Sequence, residues 1–224
     1  MRVIITGATG LVGEGVLHTC LQDEGIEKVL IITRKSLGLN HPKLEELIHQ
    51  DFLNFNPISA NLHGYDACFF CLGVSSINLS EAEYFRYTYT LTLHVAETLR
   101  EANPAMTFCY VSGAGTDSSE LGRIRWARVK GQTENALIKL PFKQVFAFRP
   151  GFIKPIKGLK NVLPFYKYVL WFFPIGRALF PQSFVKLSEI GQAMIQVSRH
   201  GFPKPILEGR DIISAAKTYA FSNK

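Results

Sequence analysis

Short apolar runs punctuate the chain, too brief for helices and too continuous for strands with one wet face. They are Val3-Ile4-Ile5, Val29-Leu30-Ile31-Ile32, Ala67-Cys68-Phe69-Phe70-Cys71-Leu72, Met106 to Val111 and Gln144 to Phe148. Strands covered on both faces by helices read this way, as they do in a parallel sheet. Between the runs the spacing becomes helical. Val16, Leu17, Cys20 and Leu21 recur within 14–22, and Tyr84, Tyr87, Leu91, Val95 and Leu99 form one stripe on a helix predicted over 81–101. A further helix starts near 121–124. A last helix over 187–199 and a short strand near 205–208 complete the chain, and 44–49 reads as either a short strand or a helical turn. Alternating strand and helix predicts right-handed βαβ units, hence an α/β fold with a doubly wound parallel sheet.

The first strand opens directly into Thr6-Gly7-Ala8-Thr9-Gly10-Leu11-Val12-Gly13. Three glycines spaced three apart, after a strand and before a helix, are the turn of a dinucleotide-binding Rossmann fold. Gly7 permits the tight turn, Gly10 lets backbone approach a pyrophosphate, and Gly13 lets helix pack on strand. Thr9, Leu11 and Val12 line the same turn, where free N–H groups and the helix dipole favour phosphate. The second strand ends in Thr33-Arg34-Lys35-Ser36. An Asp or Glu there suits a free ribose 2′-hydroxyl, whereas Arg34 and Lys35 suit a 2′-phosphate, so NADP(H) is favoured over NAD(H). Ligands of open parallel sheets sit outside the carboxyl ends of the strands. Asp51 and Phe52, Leu72 and Gly73, Ser112 and Pro150 all fall near such ends.

Composition adds limits. With 224 residues, 47% apolar and 19% charged, the chain can bury one core, so a single domain over 1–224 is expected. Its net charge is +7, but the 25 basic residues are spread along the chain, which argues against a nucleic-acid groove. No signal-peptide pattern precedes the first strand, and four cysteines make no disulfide framework, so a reducing cytoplasm is expected. Cys68 and Cys71 lie three apart on a strand and therefore face opposite sides, so no metal site is expected of them.

The stretch 159–181 carries Phe165, Tyr166, Tyr168, Trp171, Phe172, Phe173 and Phe180, interrupted by Pro164, Lys167, Pro174 and Arg177. It is too broken and charged to span a membrane. Three uses compete for it: a lid over an apolar substrate pocket, a dimer surface, and a membrane-surface segment with aromatic anchors.

With the glycine turn, Cys71-Leu72-Gly73, Val111-Ser112-Gly113-Ala114-Gly115, the Lys130 that follows Trp126 by four, and Arg149-Pro150-Gly151, the chain resembles the short-chain dehydrogenase/reductase superfamily. Within it the chain is similar to the extended or atypical branch of NAD-dependent epimerase/dehydratase type, and looks most like the Tat-interacting-protein-like proteins. The resemblance implies a cofactor-binding Rossmann domain with a small C-terminal substrate-binding portion, here 152–224. It also implies catalysis by a Ser, a Tyr and a Lys four residues after the Tyr. Lys130 matches the Lys, which also holds the nicotinamide ribose, and Ser112 matches the Ser. Trp126 stands where the Tyr belongs. An indole N–H donates a hydrogen bond but has no accessible acid–base cycle. Tyr110, Tyr166 and Tyr168 are then the candidate proton donors.

The expected function is that of an NADP(H)-dependent oxidoreductase or epimerase on a small, partly apolar substrate. The alternative is a cofactor-sensing or scaffolding protein that presents a surface to a protein partner. A homodimer through the 81–101 helix is expected from the superfamily's habit, because the Tyr84–Leu99 stripe suits either core packing or a subunit interface.

Overall fold

The computed structural model describes residues 1–156, 158–159, 171, 173–180 and 183–222. Seven parallel strands form one sheet. They are β1 (Arg2–Thr6), β2 (Lys28–Thr33), β3 (Leu44–Ile48), β4 (Ala67–Phe70), β5 (Thr107–Val111), β6 (Gln144–Arg149) and, near the C-terminus, β9 (Ile206–Glu208). Their order is β3-β2-β1-β4-β5-β6-β9. The order reverses between β1 and β4, which is where a doubly wound sheet opens a crevice at its carboxyl edge. The segment 44–49 is thus resolved in favour of a strand, and β3 is the half-exposed edge.

Each face of the sheet carries its own core. On one side, α1 (Leu11–Gln22), α6 (Leu187–His200) and α7 (Gly209–Ser222) bury Val16, Leu17, Ile190, Met194 and Ile212 against Val3, Ile5, Val29 and Phe69. On the other, α3 (Leu91–Ala102), α4 (Arg125–Ile138) and a 3-10 helix (Asn56–Leu62) cover Ile4, Leu30, Phe70 and Phe108. Cys68 lies in the second core and Cys71 packs against the first, so the pair does point to opposite sides, and all four cysteines are free. Asp23, at the end of α1, accepts hydrogen bonds from Arg199 and from the Tyr219 hydroxyl (2.7 Å), tying α6 and α7 to the first crossover.

Three departures from the sequence pattern have physical causes. The helix expected over 81–101 is α2 (Glu81–Phe85), a π-helical turn (Arg86–Thr90) and α3. The wider turn advances the register by one residue. Tyr84, Thr88, Leu91, Val95 and Leu99 are buried, and Tyr87, expected in the same stripe, is turned out to 38% exposure. A second departure is α7, which the sequence reading ended short of. Its stripe of Ile212, Ala215 and Ala216 is buried, but alanine gives a weak apolar signal. The third is a two-stranded parallel pairing of β7 (Phe152–Lys154) with β8 (Phe184–Lys186), joined by the short helix α5 (Phe173–Leu179). Phe152, Phe173 and Phe184 converge there with ring centroids 5.5–6.2 Å apart. Trp171 and Phe180 are exposed. Phe165, Tyr166, Tyr168 and Phe172, along with Pro164 and Lys167, lie outside the described residues.

Candidate functional site

Gly7 ends β1 with φ of +73°, a conformation that side chains with a Cβ rarely adopt. A Cβ there would sit 2.6 Å from the Cys71 carbonyl and the Leu72 nitrogen, and one on Gly13 would overlap the Gly7 carbonyl oxygen. The turn is therefore folded tightly onto the neighbouring β4 end. Gly10 caps α1 without any side-chain bond and its amide donates to Gly7 O at 2.9 Å. The first-turn N–H groups of α1 thus have no side-chain cap, the local condition for holding an anion.

From this turn a cleft of about 620 Å³ runs over the ends of β1, β2 and β4. Gly7, Thr9, Arg34, Asp51, Phe52 and Leu72, all expected from sequence, line it together. Sequence reading missed Gln50, Leu53, Val74, Ile77 and Tyr87, which line it too. Gln50 had a signal, being the residue before Asp51. Its amide donates to the Arg34 carbonyl at 2.6 Å and fixes the loop after β2. Ile77 and Tyr87 had none, because their place depends on the loop after β4 and on the π turn.

Beside the cleft, Thr9, Thr33, Arg34, Lys35 and Gln50 line a second hollow of about 440 Å³. Its loop is pinned from below. The Thr33 hydroxyl donates to Lys35 O at 2.9 Å, and Glu46 of β3 accepts from Ser36 Oγ (2.5 Å) and Leu37 N (3.0 Å). Glu46 is thereby spent on the hydroxyl and the backbone, and Arg34 and Lys35 have no ion pair among the described residues. Two cations with no ion pair among the described residues, over a fixed loop, have the chemistry to hold a phosphate. The cradle at Gly7 and Gly13, the uncapped helix and this hollow fit a dinucleotide.

The other expected residues gather at the ends of β5 and β6, outside that cleft. Ser112 is buried, and its hydroxyl donates to the Glu134 carboxylate and to Phe148 O at 3.2 Å. Glu134 is fully buried and also accepts from Arg149, including Nε at 3.1 Å, and Arg149 continues to Ser118 Oγ (2.5 Å) and Glu208 (3.3 Å). In this structure a buried carboxylate holds the Ser112 hydroxyl, the group expected to meet a substrate, inward. Lys130 donates from Nζ to the Ser112 carbonyl at 2.5 Å. Burial pulls its ammonium down to about 8, against the opposing pull of Glu134 one helical turn on. Trp126 sits on the first turn of α4 with its ring against Gly115.

Tyr110, a candidate proton donor in the sequence, is placed in the core. It is 2% exposed, and burial pushes its phenol far above the usual range. Its strand position points it into the core between Phe70 and Thr133. Pro150 is buried and its carbonyl accepts from Ala114 N at 2.9 Å, holding the loop after β5. Gly73 is exposed just beyond Leu72 and lines neither hollow.

A family model of the NAD dependent epimerase/dehydratase family matches residues 3–120, just over half of the chain. The chain belongs to this family. Curated relatives include "Leucinostatins biosynthesis cluster protein T" of Purpureocillium lilacinum, 30% identical over 167 residues, covering 72% of this chain and 61% of the relative. Another is "Protein fmp52-2, mitochondrial" of Aspergillus oryzae, 25% identical over 151 residues, covering 66% of each. The match thus spans a little under two thirds of these relatives' own length. The expected cytoplasmic location does not stand, because several relatives of this family member are named as mitochondrial proteins. Among solved structures, Gre2 of Candida albicans in complex with NADPH superposes with a TM-score of 0.69 at 15% identity, covering 93% of this chain and 78% of that one. That likeness establishes the fold alone: a Rossmann-like parallel α/β sheet.

Proposed function

We propose that this epimerase/dehydratase-family chain binds NADP(H) and acts as an oxidoreductase or epimerase on a small, partly apolar substrate. The observation that carries the reading is the pair of hollows. The uncapped turn of α1 lies at one end, and Arg34 and Lys35, with no ion pair among the described residues, lie at the other. In this reading the amides at Leu11 and Val12 hold the pyrophosphate, Gly10 lets the backbone approach it, Arg34 and Lys35 hold the 2′-phosphate, and Asp51 and Phe52 border the adenosine. Lys130 holds the nicotinamide ribose at the other end. When bound, the cofactor supplies or accepts a hydride at the substrate carbon.

The proton is the chain's own task. Trp126 stands in the slot of the superfamily's tyrosine and can only donate a hydrogen bond. Lys130, with its ammonium near 8, is the group in that corner able to give or take a proton close to neutral pH. The Phe152, Phe173 and Phe184 cluster supports a substrate-binding role for the β7, α5 and β8 part of 152–224, whereas α6, β9 and α7 belong to the main sheet and its core.

A second reading, a cofactor-sensing protein with little turnover, is favoured by two observations. The Ser112 hydroxyl is committed to Glu134, and Tyr110 is locked in the core. Titration with NADPH and NADH, followed by a panel of carbonyl substrates on wild type and Trp126→Tyr, separates the two. Wild-type reduction of a panel member carries the first reading. Tight NADPH binding with turnover only in Trp126→Tyr carries the second, and no nucleotide binding sinks both.

A further inference from the structure

We propose that Tyr87 is the aromatic platform on which the adenine base stacks, placed there by the π turn between α2 and α3. The proposal rests on the dinucleotide reading of the cleft and says which part of the ligand this wall selects.

The cleft is one-sided. Among the described residues its lining comes from the ends of β1, β2 and β4, from 50–53 beyond β3, and from 74–91, with none from β5, β6 or α4. The loop after β2 is where a dinucleotide's adenosine ribose lies, so the cavity next to it is the adenosine half. Its floor is apolar, with Ile32, Phe52, Leu53 and Leu91, and Tyr87 closes it from the helix side. A purine presents two π faces to such a slot, with its hydrogen-bonding groups confined to the ring edge, and an aromatic ring stacks on those faces.

The π turn makes the wall. With ordinary helical spacing, Tyr84, Tyr87 and Leu91 lie on one buried stripe. Here Tyr84 is 1% exposed and Leu91 is 6% exposed, but Tyr87 between them is 38% exposed and lines the cavity. On the same turn Phe85 and Tyr89 stack on each other at 4.7 Å, whereas Tyr87 pairs with no ring among the described residues. The Tyr87 ring is thus partly exposed on the cavity wall.

Calorimetric titration of wild type, Tyr87→Phe, Tyr87→Leu and Tyr87→Ala with NADPH and with adenosine 2′,5′-bisphosphate tests this. Stacking predicts that Tyr87→Ala weakens both ligands by the same factor, about tenfold, from the usual cost of removing one base–aromatic contact. Tyr87→Phe stays within about twofold because the ring face is kept. Tyr87→Leu keeps apolar bulk without the ring and follows the alanine variant, which guards against a loss caused only by an altered helix. Unchanged affinity of Tyr87→Ala and Tyr87→Leu for adenosine 2′,5′-bisphosphate overturns the proposal while leaving the cofactor reading intact. So does a loss seen with NADPH alone, or a Tyr87→Leu as tight as wild type, which means an apolar slot with no stacking. If wild type binds neither nucleotide, the cofactor reading itself falls and this proposal with it.

Discussion

The two ends of the crevice treat polar groups in opposite ways. Over β1, β2 and β4, the cations Arg34 and Lys35 are exposed, unpaired among the described residues, and set on a loop whose own backbone is fastened by Gln50, Thr33 and Glu46. Over β5 and β6, Ser112, Glu134, Arg149, Ser118 and Glu208 satisfy one another, mostly away from solvent. A site that receives a ligand leaves donors unspent, whereas a site that supports its own fold spends them. One end thus has the makings of a receptor and the other those of a buttress, with Lys130, bound to the Ser112 carbonyl, bordering the buttress.

The largest test of that contrast is at Glu134. Removing one partner of a buried ion pair strands the other, so Glu134→Ala is expected to cost about 3–5 kcal/mol of stability in urea denaturation. A loss below about 1 kcal/mol, the scale of a surface pair, means this end is not a buttress. At the receptor end, Arg34→Ala is expected to leave stability unchanged and to weaken NADPH about tenfold to a hundredfold, the range of a lost charge-assisted bond, with NADH affected much less. Equal losses for the two nucleotides remove the 2′-phosphate from the account.

A smaller effect is expected at the border. The folded state lowers the Lys130 ammonium from its usual 10.5 to about 8, so between those values the unfolded chain binds the extra proton. Stability from this group therefore rises as pH increases from about 8 towards 10.5, and its burial is a full cost below about 8. Lys130→Met removes that slope, so the stability gap between variant and wild type should narrow across the window. A constant gap shows that the lysine is not desolvated. The smallest effect belongs to Thr6, where β1 meets the glycine turn. Its Oγ1 is the one buried side-chain polar atom without a partner among the described residues. Thr6→Val is expected to be neutral or to stabilise by up to about 1 kcal/mol, since no bond is lost.

Much of the receptor end was legible in the sequence and little of the buttress. Gly7, Gly10 and Gly13 announce their geometry because a turn that folds onto β4 admits no Cβ at Gly7 or Gly13. Arg34 and Lys35 follow β2 directly, so their place is local. Ser112 was located correctly at a strand end, yet its hydroxyl direction depends on Glu134, 22 residues on, and on Arg149, a further 15. No local spacing brings those three together. Tyr110 illustrates the same limit: two residues before Ser112 on its strand, it lies in the core because Phe70 and Tyr84 pack beside it.

The amino-acid sequence by itself determined the parallel sheet, its strand edges and the cofactor turn. Apolar runs, glycine spacing and the cations after β2 act within a few residues of one another, and steric and periodic rules read them directly. Tertiary structure alone decided which way Tyr87 and the Ser112 hydroxyl point. One is turned out by a single extra residue in a helical turn, and the other is drawn inward by a carboxylate on a distant helix. Both outcomes follow from packing between elements far apart in the chain, where the competing partners are supplied by the fold.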